Sequence, residues 1–195
     1  PFGWSAELVA LRNLRQGILP PESATFQNPF YEWMGAQMRG AVCGLVAPGQ
    51  PERAAELAWI DASVSHAYNG TLGEIFNALL VSFGFVMDNA REALVAAVNA
   101  MPAESEYGEI VRFALDRCQE EATWEPAWRA CEKRLERYNW VHAYPNVAAE
   151  IVALWFGDGD FDETLHINAM CGQDVDCSAA QALTLLGVQQ GAEAI

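Results

Sequence analysis

Thr71-Leu-Gly-Glu-Ile-Phe-Asn-Ala-Leu-Leu-Val-Ser-Phe-Gly-Phe-Val-Met87 is the stretch on which the fold turns. It is apolar nearly all round and longer than an ordinary strand, so it reads as a helix. A helix without a polar face has to be wrapped by other elements. A bilayer span is the competing reading, but the run is too short and too interrupted for one. The sequence therefore predicts a central core helix over 71–87. Asp88-Asn89 ends it and caps the next helix, Ala90–Met101, which stops at Pro102.

Outward from this segment the pattern stays helical. Residues 31–46 carry apolar side chains at helical spacing and stop at Pro48-Gly49. Pro51 suits the first position of a helix over 51–67, with Leu57, Ala58, Ala62 and Ser65 on one face. Ser105 is placed to cap 106–120, and Thr123 to cap a strongly charged amphipathic segment, 124–138. Pro145 opens 146–156, which ends at Gly157-Asp-Gly159; helices over 161–170 and 178–189 complete the set. Strand signals are almost absent, the links are short, and no repeat or linker interrupts the series. The expectation is an all-α fold, a compact orthogonal multi-helix bundle, with residues 1–195 in one domain.

The composition narrows the function. Hydrophobic residues make up 52% of 195, enough for a real core and too many for disorder. A formal net charge of −15, from 26 acidic and 11 basic residues, argues against nucleic acid and against anionic membrane surfaces. An anionic small substrate would need a metal or backbone N–H groups to receive it. The five cysteines, at 43, 118, 131, 171 and 177, form neither a disulfide framework nor a zinc pattern. They read as core thiols of a reducing compartment, and with no secretory signal at the start they predict a cytoplasmic protein.

Four segments are dense in chemistry. In Gly172-Gln-Asp174-Val-Asp176-Cys177-Ser-Ala, two carboxylates one residue apart open an apolar helix, an arrangement that suits a hard cation such as Mg²⁺. The plainer reading is an Asp cap. His66 follows Asp61 and Ser65 and precedes Asn69-Gly70. That cluster suits a polyhydroxylated ligand, or else a helix C-terminus with His on the dipole and Asn-Gly as the left-handed stop. His142 lies in Asn139-Trp140-Val-His142-Ala-Tyr144, a loop able to stack a planar ring or simply to bury its own rings. In Phe30–Gly40, the small residues Gly35, Ala36 and Gly40 allow a ligand or another helix close to the backbone. His166 reads as an ordinary core or surface histidine. Gly157-Asp-Gly-Asp-Phe-Asp162 lacks the downstream Glu of a calcium loop and reads as a turn. No nucleophile elbow, Walker loop or dinucleotide fingerprint occurs.

Taken in order, these segments resemble the ADP-ribosylglycohydrolase family over roughly residues 17–190. The resemblance is carried by Asn28-Pro-Phe-Tyr-Glu-Trp-Met-Gly-Ala-Gln-Met-Arg39, Asp61-Ala-Ser-Val-Ser-His66, Asn69-Gly-Thr-Leu-Gly-Glu74, Trp140-Val-His142 with Pro145-Asn146, and Gly172–Ala180. It implies an all-α fold with a binuclear Mg²⁺ centre in a cleft, and hydrolysis of the bond between C1″ of the distal ribose of ADP-ribose and an acceptor. On the resemblance, Asp174, Asp176 and Cys177 stand where the C-terminal half of the metal site lies. The resemblance implies that the residue at position 177 is usually Thr or Ser, and sulfur is a poor partner for Mg²⁺. Gly35, Ala36, Gln37 and Met38 match the segment that approaches the substrate phosphates, His66 matches the ribose-side histidine, and His142 joins the substrate-binding set. No residue matches a catalytic acid or base.

The family's upstream Thr-Asp-Asp motif and its Gly-Asp-Ala-x-Gly segment do not occur here. The expectation is a fragment of a longer enzyme, weak in metal binding and inactive on its own. The rival from another class is a non-catalytic nucleotide- or sugar-binding or structural member. A third reading is a hydrolase of a small ribosyl compound. The oligomeric state is not legible.

Overall fold

The computed structural model describes residues 3–192. Among these, eleven α-helices and one 3₁₀ turn are present and no β-ladder forms. The apolar stretch forms α5 (Asn69–Gly84), and Phe76, Ala78, Leu80 and Val81 in it are fully buried. α3 (Gly40–Leu45) and α4 (Pro51–Ala62) pack along one side of it, and α6 (Ala90–Ala100) along another. Gly40 and Gly44 bring α3 so close that a Cβ on either would strike the α5 carbonyls of Glu74 and Ala78.

A second helix is as deeply sunk as α5. α9 (Ala143–Gly157) buries all but Trp155 and Phe156 among α7 (Glu106–Glu120), α8 (Trp124–Leu135), α10 (Phe161–Cys171) and α11 (Val175–Gln190). The sequence pattern singled out only one central helix. The pattern opens the second at Pro145, over 146–156. Proline is tolerated throughout the first turn, where its missing N–H has no intrahelical partner, so the helix starts two residues earlier at Ala143.

Local capping explains several boundaries. Asn89 Oδ1 accepts from Glu92 N at 3.0 Å, Ser105 Oγ from Gly108 N at 3.0 Å, and Asp160 Oδ1 from Glu163 N at 2.8 Å. Thr123 precedes α8 without a side-chain cap.

Residues 31–46 depart from the predicted single helix. Only α3 and the 3₁₀ turn Gln37–Arg39 are helical there. The backbone of 31–34 is bonded sideways instead: Met34 N donates to Val141 O at 2.9 Å, Ala143 N to Glu32 O at 3.1 Å, and Ala67 N to Tyr31 O at 3.2 Å. Backbone groups committed to other segments cannot close helical turns. Asn69-Gly70 also departs from its alternative reading as a helix stop. It opens α5, while the preceding Tyr68 takes the left-handed φ of 53°. Gly70 is required at that point because a Cβ would collide with Tyr31 O.

Two elements were not anticipated from the pattern, α1 (Ser5–Arg15) and the single-turn α2 (Glu22–Thr25). The buried Asn13 side chain ties them together, donating to Ser23 O at 2.9 Å and Phe26 O at 2.8 Å. No helix among the described residues is long and apolar enough to cross a membrane.

Candidate functional site

A cavity of about 840 Å³ opens between the start of α1, the 33–39 segment, residues 140–141 and the start of α11. Each wall is held by local structure that the sequence encodes.

The α11 wall turns on Gly172 and Gln173, both at positive φ (75° and 72°), which swing the chain into the helix. Asp174 then sits at the N-cap position, but its carboxylate accepts no capping hydrogen bond and faces the cavity. Its backbone N–H donates to Asn146 Oδ1 at 2.9 Å. Asn146 is fully buried, and its amide donates to Trp140 O and His142 O at 2.8 and 2.9 Å. One asparagine thus fixes the α11 start to the 140–142 loop.

Ligand atoms of Asp174, Asp176 and Cys177 lie within 4.8 Å of one another. Burial, then the neighbouring Asp176, raises the Asp174 carboxyl above its ordinary value. Burial and the two carboxylates push the Cys177 thiol up to about 12, so it stays protonated. Its sulfur rests 3.7 Å from Met38 Sδ and 3.9 Å from Asp176 Oδ2. For a hard cation the two carboxylates fit and the neutral thiol does not.

The opposite wall centres on Arg39. Its Nε donates to the Asp61 carboxylate; Nη1 donates to Glu7 Oε1 at 2.8 Å and to Gly35 O at 3.1 Å; Nη2 donates to Ser65 Oγ at 3.2 Å. Glu74 Oε2 lies 3.5 Å from Nε, and the Glu74 side chain is fully buried. Burial drives the Glu74 carboxyl up to about 9 against the pull of Arg39, with Asp61 adding to the rise. Burial also opposes ionisation of Asp61, but the hydrogen bond and charge of Arg39 outweigh it and hold Asp61 below its usual range.

His66 forms the floor. Its Nε2 accepts from Ala36 N at 3.2 Å, so Nδ1 carries the proton and donates to Ser65 Oγ at 2.8 Å. Burial, then the positive charge of Arg39, depresses the ring to about 3, which leaves a neutral imidazole. Such a histidine is a strut that fixes the Ala36 amide, not a proton carrier near neutral pH.

The structure brings most of the sequence-predicted residues together. Gly35, Met38, His66, Asp174, Asp176 and Cys177 line the cavity. Ala36 is beneath them, its N–H taken by His66. Gln37 turns its side chain away into the core, where Oε1 accepts from Tyr107 Oη at 3.1 Å. His142 is not among the lining residues. Its Nδ1 accepts from Tyr144 N at 3.4 Å, and its ring packs 4.6 Å from that of Tyr138 and 4.4 Å from that of Tyr144.

Three participants were not singled out from the sequence: Glu7, Glu74 and the hub Arg39. A Glu inside the apolar 71–87 run was the available signal, since a buried carboxyl needs a partner. Glu7 carried none, because α1 reaches the site only through the tertiary fold. Gly35 has its own reason to be glycine: a Cβ there would run into the Glu7 carboxylate.

A family model described as ADP-ribosylglycohydrolase matches residues 2–195. No curated protein and no solved structure gives a match.

Proposed function

The chain belongs to the ADP-ribosylglycohydrolase family, and from that premise we propose that it forms the substrate cavity of a metal-dependent hydrolase that cleaves the glycosidic bond of ribosyl substrates, the family's ADP-ribosylated compounds among them. The observation that carries the reading is the Asp174–Asp176 pair, uncapped and facing a large cavity whose floor holds a fully bonded histidine.

Asp174 and Asp176 would hold the divalent cation, Mg²⁺ being the ion that two hard carboxylates and water suit best. Bound there, it would supply Lewis-acid polarisation and orientation of ribose hydroxyls. The chain's own residues do the rest of what can be assigned. Asn146 holds the Asp174 backbone in place. His66 fixes the Ala36 amide, and with it the Gly35–Met38 floor on which the sugar would rest. Trp4, Trp33 and Trp140 line the cavity. Developing charge at an oxocarbenium-like C1 would be stabilised by the acidic lining. Neither Asp174 nor Asp176 is assigned as acid or base.

The test uses the purified natural protein. ADP-ribosylated arginine, ADP-ribosylated serine and ribosyl compounds are incubated with Mg²⁺ or with EDTA, and release of the aglycone is followed. Turnover that needs the metal supports the reading. Turnover unaffected by EDTA overturns the metal-dependent reading, and no turnover on any ribosyl substrate overturns the hydrolase reading in favour of a non-catalytic binding member.

A further inference from the structure

Asn77 of α5 and Glu150 of α9 are fully buried, face each other in the core and take no part in the cavity. Asn77 Nδ2 donates to Glu150 Oε2 at 3.3 Å. The second oxygen of each side chain, Asn77 Oδ1 and Glu150 Oε1, is buried without a hydrogen-bond partner. No cation stands near. Ionisation of Glu150 is opposed by burial and helped by the Asn77 amide alone. From α7, Tyr107 lies close enough that Glu150, after burial, helps push its hydroxyl up, but that hydroxyl donates to Gln37 Oε1 at 3.1 Å. The other helices packed on α9, which are α6, α8, α10 and α11, bring no charge to the pair.

An ionised carboxylate with neither cation nor full hydrogen bonding is among the costliest groups a core can hold. One proton removes that cost and a second one with it. Placed on Oε1, it neutralises Glu150 and turns that atom into a donor, and Asn77 Oδ1 is the acceptor that lacks one. The pair then makes two hydrogen bonds, from Nδ2–H to Oε2 and from Oε1–H to Oδ1, and neither oxygen is left unpartnered. Burial accordingly raises the Glu150 carboxyl to about 8.

The position of the pair gives it a consequence for the site. Asn146 lies four residues before Glu150, on the same face of α9. It accepts from Asp174 N and donates to Trp140 O and His142 O. Whatever seats α9 on α5 also seats the residue that fixes the start of α11.

We propose that Glu150 is kept as a neutral carboxylic acid closed onto Asn77, a proton-dependent clasp between α9 and α5 that steadies Asn146 and, through it, the Asp174 wall. When the proton leaves for solvent, the Oε1–H to Oδ1 bond is lost and an unpaired negative charge takes its place. The folded value is raised, so the contribution of the clasp is full below about pH 4.5 and is lost as pH climbs through about 8. The clasp does not depend on which reaction the cavity supports.

The titration of the Glu150 side-chain carboxyl, followed by ¹³C NMR in the labelled natural protein, is the first test. A midpoint above neutrality is expected, and a carboxylate already ionised at neutral pH overturns the proposal. Glu150→Gln is the second, because an amide repeats the donor and acceptor of the neutral acid. It is expected to melt with the parent near about pH 6 and above it near about pH 9, on the two sides of the raised value. A variant that melts well below the parent near pH 6, or a gap that does not change with pH, overturns the clasp. The Asp174 amide hydrogen reads the link to the site. With the intrinsic base catalysis of exchange removed, it is expected to exchange several-fold faster near pH 9 than near pH 6 in the parent and not in the E150Q variant. An equal change in both overturns the coupling to the Asp174 wall.

Discussion

On one wall of the cavity Glu7, Asp61 and Glu74 close around the guanidinium of Arg39; on the other, Asp174 and Asp176 stand beside a thiol, with no basic side chain in ion-pair reach among the described residues. Both walls gather carboxylates, yet they spend them differently. The Arg39 wall satisfies its charges internally and ties α1, α4, α5 and the 35–39 segment into one unit. The Asp174 wall leaves its charges unpaired at a helix N-terminus, where backbone N–H groups partly compensate them. Partnered charge holds the fold, and unpartnered charge is what remains for a ligand.

Removing the hub is the strongest way to break this contrast. Arg39→Ala would strand a fully buried Glu74 and two further carboxylates. A loss of about 1–3 kcal/mol of stability is expected from the buried hydrogen bonds left unmade, measured by urea denaturation. If stability is unchanged, the Arg39 wall is not structural. Asp174→Asn and Asp176→Asn should do the reverse: melting temperature unchanged or raised, as like-charge repulsion is relieved, while cation affinity falls. The fall should be at least the ten- to hundredfold or so that changes outside the direct ligands already cost. Calorimetric titration with Mg²⁺ and Mn²⁺ reads it.

The pH dependence sharpens the comparison further. Glu74 has a folded value near 9 against an ordinary 4.5. Because it is raised, its contribution is full below about pH 4.5 and is lost as pH climbs toward 9. His66 runs the other way, from 6.5 down to about 3. Its contribution is full above about pH 6.5 and is lost as pH falls toward 3. Glu74→Gln should therefore flatten the decline of stability between pH 5 and 9 that the parent chain shows, a range set by the Glu74 shift. The ¹⁵N shifts of the His66 ring should stay flat from pH 8 to 5, a span that lies above its depressed value. A titration midpoint near the ordinary value would show that the floor is looser than its contacts imply.

The smallest effect is expected at Cys177. A hydroxyl is a harder donor than a thiol, so Cys177→Ser should raise Mg²⁺ affinity by less than about tenfold and leave stability within ~0.5 kcal/mol. A loss of affinity would mean that the sulfur takes part in binding.

Much of the fold was legible because its signals are local. The caps Asn89 and Ser105 act within three residues, and the apolar period of α5 needs no partner to be seen. The Asp174–Cys177 cluster was legible for the same reason, as neighbours on one helical turn stay neighbours in the fold. The failures were non-local. Residues 31–46 carry a helical pattern, but backbone groups of Met34, Glu32 and Tyr31 go to Val141, Ala143 and Ala67. The His142 ring packs against Tyr138 and Tyr144, contacts that the order of the chain does not show. The Gln37 side chain faces the core, where Oε1 accepts from Tyr107, 70 residues away in the chain.

By itself the sequence determined the helical class, the central place of α5 and the presence of two adjacent carboxylates at the mouth of α11. These follow from periodicity and from contacts between residues a turn apart. Only the tertiary structure decided which charges are free. Glu7 and Arg39 lie 32 residues apart, and Arg39 and Glu74 another 35. Their meeting depends on α1 and α5 closing on the same short turn. Whether a carboxylate anchors the fold or waits for a ligand is set by what stands opposite it in space, and the chain does not write that down in order.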